Sequence, residues 1–263
     1  MITQFALRLI FGLSVMWCVM PRQQVSSGFF RIQLLVTMGL AVLAAMAAGQ
    51  LPATLGGQPA VFSMDVVRIV SGVLAAGSFS GSIMWTLERR AAGARYAFGI
   101  AGLSALTVCL SCVSTAQLPT LIGSLQWLSE LSTGLVSGSA VGSMLLGHWY
   151  LTTPTMSISP LSRVNVLLGV AAVARLIMAG AGLLIYSQSA AGSTDWKPIH
   201  SIWLSLEWLG GILGPLLVVW MVWRIMKYRN TQAATGVLFV GVILAFIGEM
   251  TGALLRRELN LPL

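Results

Sequence analysis

The residues in this sequence whose types can do chemistry are few, and apolar stretches surround them. Arg8, Asp65, Arg68, Glu130, Arg175, Glu207 and Glu249 fall inside such stretches, and His200 stands at the start of one. Ionisable groups in hydrocarbon are costly, face a bundle interior and mark proton, ion or substrate sites. Asp65 and Arg68 are three residues apart, so one helical turn brings them into pairing range. His200, Trp203 and Glu207 follow i, i+3, i+7 and share one helix face. Glu207 and Glu249 have no basic residue within four positions, which makes them the first choices for proton-exchanging carboxylates. Trp203 and Trp208 can wall a flat aromatic ligand beside them. The competing structural reading makes Asp65 with Arg68, and a carboxylate with Arg175, buried pairs that set helix register.

Two further groups test redox chemistry. Bis-histidine haem needs two imidazoles on opposite faces of one macrocycle. His148 and His200 fall at opposite ends of their stretches, about a membrane thickness apart, so a haem held by this chain alone is not expected. Cys109 and Cys112 lie one helical turn apart, as in a thiol-redox pair, but Cys18 is single and no second pair exists to relay oxidation. Small packing residues are the simpler reading. Zinc spacing, a phosphate loop and a nucleophile elbow are all absent.

The elements that must position these residues follow from composition. Of 263 residues, 57% are hydrophobic and only 8% charged, with a mean hydropathy of +0.87. A soluble domain carries about a quarter charged residues. The chain therefore reads as one integral membrane domain, residues 1–263, in an all-α bundle. Eight stretches are near the roughly 20 residues a spanning helix needs: Thr3 to Met20, Phe30 to Ala48, Val61 to Leu87, Tyr96 to Ser114, Leu121 to Leu151, Val164 to Tyr186, Ile199 to Ile225 and Thr231 to Leu255. The first is read as a helix rather than a signal peptide, because Arg8 interrupts it and basic residues follow it.

The net charge of +8 sorts by loop. Arg22 and Arg31, then Arg89, Arg90 and Arg95, then Arg163, then Arg224, Lys227 and Arg229 flank the odd-numbered connections. By the positive-inside rule these face the cytoplasm, both termini lie outside, and no nucleic-acid partner is needed to explain the charge. Arg256 and Arg257 are the exception; they snorkel at the outer interface or belong to a functional outer face. In this orientation the acids collect in the outer half.

Small residues let helices approach in lipid. Gly134, Gly138 and Gly142 make the fifth stretch a central packing helix. Gly77 with Gly81, and Gly248 with Gly252, promise similar contacts. Gly210, Gly211, Gly214 and Pro215 should kink or loosen the seventh stretch near mid-membrane.

The last stretch reads Ala245-Phe246-Ile247-Gly248-Glu249-Met250-Thr251-Gly252, followed by Arg256. This resembles the Gly-Glu-x-x-Gly pattern that closes the membrane-anchor subunit of bacterial dimethyl sulfoxide reductases. That family is similar in layout, with eight helices, both termini outside and few charges. The resemblance implies a haem-free quinol-oxidising anchor, bound to an iron-sulfur subunit that passes electrons to a catalytic subunit. The family's His-Leu-Gly segment after an early helix is missing, so only Glu249 carries over.

The expectation is a subunit of a respiratory or other redox complex in a bacterial inner membrane. It anchors partners that carry iron-sulfur or haem centres, contacts membrane lipids and binds a quinone near its outer face. Glu207, Glu249, His200 and Trp203 form that site, with Asp65, Arg68 and Glu130 near it. The alternatives are a proton-coupled solute transporter using the same carboxylates and a non-catalytic membrane scaffold.

Overall fold

Where no water reaches, backbone N–H and C=O groups must be satisfied within the segment itself, and long apolar stretches become helices. A computed structural model describes residues 1–51, 54–55, 58–113, 120–153, 156–188 and 197–259. The described residues form α1 (Ile2–Val19), α2 (Ser27–Ala47), α3 (Met64–Thr86), α4 (Arg90–Ser111), α5 (Leu121–Thr152), α6 (Ser159–Gln188), α7 (Pro198–Leu206), α8 (Gly214–Met226) and α9 (Thr231–Leu259). A two-residue antiparallel ladder, β1 (Thr54–Leu55) with β2 (Gln58–Pro59), lies between α2 and α3. Side chains close several helix starts: Ser63 Oγ accepts from Val66 N–H, Thr120 Oγ1 from Gly123 N–H, and Asn230 Oδ1 from Ala233 N–H.

Among the described residues, seven helical columns are long and apolar enough to cross a membrane: α1, Ser27–Gln50, α3, α4, Ser159–Ile185, Pro198–Met226 and Thr231–Glu258. The fifth expected span, α5, is long enough at 32 residues but is not among them. The reason is its serines and glycines, which lower hydropathy and suit a helix facing protein. Along it Ser129, Ser132, Thr133, Ser137, Ser139 and Ser143 are all buried. Its neighbour α1 is 67% buried, against 33–44% for the other six columns. Helices α1 and α5 are thus the inner pair.

Glycines set that pair's closeness. A Cβ on Gly12 would lie 2.8 Å from Gly138 Cα, and one on Gly134 would lie 2.9 Å from the Arg8 carbonyl. Gly142 faces the Met16 side chain, so all three expected glycines of α5 pack on α1. Gly81 packs on Tyr96, but Gly77 has nothing within 4 Å of where a Cβ would sit. The expected contact at Gly77 is absent because α3 and α4 part there, leaving a groove.

The expected irregularity in the seventh stretch is a π-helical segment, Glu207–Leu213, joining α7 to α8. Gly214 N–H reaches back five residues to the Leu209 carbonyl, just before Pro215, which has no N–H to donate.

The basic connections meet at one end of the bundle. Arg90 donates to the Arg22 carbonyl at 3.2 Å, Trp149 Nε1 to Ser26 Oγ at 2.9 Å, and Ser157 Oγ to Gln24 at 3.0 Å. Glu88 and Arg229, both with φ near 55°, turn the chain tightly at this end. At the other end the start of α1 meets the start of α5 and the end of α9.

Candidate functional site

Six charged side chains converge near that second end. From α1, Arg8 Nε donates to Glu130 Oε2 of α5, and its Nη1 lies 3.4 Å from Glu249 Oε1 of α9. Arg256, two turns after Glu249 on the same face of α9, places Nε 3.6 Å from Glu130 Oε1. From α6, Arg175 Nη2 donates to Glu207 Oε1 at the start of the π segment, and its Nη1 donates to Ser129 Oγ at 2.8 Å. Ser137 Oγ donates to Glu249 Oε2. Three arginines thus face three glutamates, and none of these side chains is more than 12% exposed.

The two halves of this network share a cavity of about 10 Å³, lined by Thr133, Ser137, Arg175, Glu207, Gly211 and Glu249 among others. That volume is about what one water requires, and it is far below the hundreds of Å³ of a small-molecule pocket. Glu207 is 1% exposed and its Oε2 is buried with no hydrogen-bond partner. A buried carboxylate oxygen without a partner is rare, and the residue that carries it lines a space of about one water.

The Gly-Glu-x-x-Gly run acquires a physical role here. Gly248 sits against Gly211, whose own Cβ would come 2.9 Å from Gly248 Cα. Glu249 reaches across to Arg8. A Cβ on Gly252 would lie 2.9 Å from Glu207 Oε1, so only glycine leaves that carboxylate its place. The π segment brings Gly210, Gly211 and Glu207 to this same α9 face, an arrangement common where helices carry function.

His200 is 1% exposed and belongs to a separate, more outlying contact. Its Nδ1 lies 3.1 Å from the Lys197 backbone N–H and accepts from it. In the neutral ring the proton is then on Nε2, which donates to Glu258 Oε2 at 2.9 Å. The Glu258 side chain is 44% exposed, so this pair links a buried imidazole to the surface. Trp203 packs on the ring, with centroids 5.6 Å apart. Trp203 and Trp208 both pack with Ala179, Ile212 and Leu255, so here they serve as apolar filling.

Asp65 and Arg68 do pair, at 3.5 Å, but their side chains are 69% and 53% exposed and they stand apart from the network. Glu207 and Glu249 lack basic neighbours along their own helices, yet each meets an arginine from another helix, since bundle order differs from chain order. Of the two placements expected for Arg256, snorkelling or a place among the polar groups of that face, the side chain takes an inward position against Glu130. Of the expected site residues, Glu130, Glu207 and Glu249 come together, and His200 with Trp203 forms the neighbouring pair. Reading by sequence missed Ser129, Ser137 and Glu258; Ser137 is seven residues from Glu130, a spacing that would have placed it on the same face.

The free cysteines behave as packing groups. Cys112 Sγ donates to the Val108 carbonyl at 3.0 Å, and no disulfide joins it to Cys109. No family model, no curated protein and no solved structure matches the chain.

Proposed function

We propose that the chain is an integral membrane subunit of a redox complex that oxidises or reduces a quinone near its outer face, with the buried arginine–glutamate network handling the protons. The reading takes α5 as an eighth pass beside the seven apolar columns, both termini outside and the basic connections in the cytoplasm of a bacterial inner membrane. The single observation that supports it is the Glu207 Oε2 atom, buried without a partner beside the cavity shared with Glu249 and Ser137. Quinone chemistry moves protons with electrons, and carboxyls facing a trapped water are suited to passing them on. That cavity is too small for a quinone ring. The ring would bind outward of it, toward His200, Trp203 and Glu258, and the network would accept protons inward. Electrons would come from or go to partner subunits carrying iron-sulfur or haem centres, which anchor on this chain.

Purification of the tagged chain from its native membrane in mild detergent tests this. Expected are extractable quinone, co-purifying chains with iron-sulfur or haem absorption, and quinol turnover that falls at least tenfold in Glu207→Gln or Glu249→Gln while the complex still assembles. Unchanged quinol kinetics in both variants, or purification without any redox partner, would overturn the proposal. Proton-coupled uptake by the isolated chain in proteoliposomes would establish the transporter reading in its place.

A further inference from the structure

A second feature lies on the lipid-facing side, away from the charge network. Between α3 and α4 runs an apolar groove of about 350 Å³, lined by Val73 and Gly77 from α3 and by Arg95, Tyr96, Gly99 and Leu103 from α4, among others. Gly77 and Gly99 open it: neither has any atom within 4 Å of where a Cβ would sit. From Arg95 to Leu103 the groove follows eight residues of helix, about 12 Å at 1.5 Å per residue. One leaflet of a bilayer's hydrocarbon core is about 15 Å deep, half of roughly 30 Å. The groove is therefore nearly as long as one leaflet is deep.

Its polar mouth is basic. Arg95 lines the groove and is exposed. Its guanidinium stands where a lipid headgroup would lie, while the depth and apolar lining suit a single acyl chain. Basic pockets between membrane helices recognise anionic headgroups in this way. A partner's transmembrane helix is a poorer fit, since it is about 10 Å across and would bury Arg95.

We infer that the α3–α4 groove binds one anionic phospholipid of the leaflet on the basic side, with an acyl chain over Gly77 and Gly99 and the phosphate against Arg95.

The test is native mass spectrometry of the purified full chain, titrated with dioleoylphosphatidylglycerol or with dioleoylphosphatidylcholine, which shares its acyl chains but has no net charge. The phosphatidylglycerol adduct should bind about tenfold more tightly. Arg95→Gln should abolish that preference, whereas Arg68→Gln at the opposite end should not. Gly77→Leu with Gly99→Leu should remove the retained lipid of either kind; both side chains enter open space, so the elution volume and thermal midpoint should stay as in the parent. Equal retention of the two lipids, or retention unaffected by filling the groove, would overturn the inference. So would loss of a co-purifying protein from the groove-filled variant with lipid retention unchanged, since that would assign the groove to a partner helix.

Discussion

Breaking the Arg175–Glu207 pair tests whether the network is a set of true ion pairs. Both side chains are at most 5% exposed, and Arg175 divides its donors between Glu207 and Ser129. Arg175→Met removes the cation in contact with Glu207, whose second oxygen already has no partner. A buried charge stripped of its partner costs about 3–5 kcal/mol, or roughly two to three and a half powers of ten in the folding equilibrium at about 1.4 kcal/mol per decade. Glu207→Gln should destabilise far less, since the amide oxygen and Ser129 still accept from Arg175. The double variant should recover most of the loss, because a pair replaced by neutral groups of similar volume is often close to neutral. Denaturant unfolding in detergent, followed through the nine tryptophans, measures all four corners of the cycle. If the double variant loses the sum of the two single losses, the charges are not coupled and the pairing argument is wrong.

Other consequences are simpler to state. Gly12→Ala should destabilise by at least about 1–3 kcal/mol, because its Cβ would drive into the α5 backbone, while Gly77→Ala should stay within about 0.5 kcal/mol in the same unfolding assay. Gly252→Ala should displace the Glu207 carboxylate, so in a redox complex quinol turnover should drop with assembly intact. Asp65→Asn should change the unfolding midpoint little, since an exposed pair contributes about 0–1 kcal/mol.

What the sequence made legible was what depends on one helix at a time. The apolar stretches, the glycine face of α5 that meets α1, and the break before Pro215 all follow from spacing within a segment. Arg8, Arg175 and Arg256 were each visible as costly charges, but their partners lie 32 to 241 residues away along the chain. Nothing in helical periodicity says which helices touch, so Glu249 looked unaccompanied when Arg8 lies across from it. At α5, burial among other helices permits the serines and glycines that bring its hydropathy below that of the seven columns. Asp65 looked buried because the apolar run around it begins early, yet it lies in the first turn of α3 with its side chain exposed.

Arg8 also bears on how the chain is made. It sits in α1, and the carboxylates that neutralise it arrive later, with α5 and α9. Until then the α1 charge must be held by water, by lipid headgroups or by the insertion machinery, at a cost of about 2.5–3.5 kcal/mol in a membrane centre. The charge balance of the bundle is thereby tied to α9, for a chain that stops before Glu249 retains α1 with an incompletely neutralised arginine.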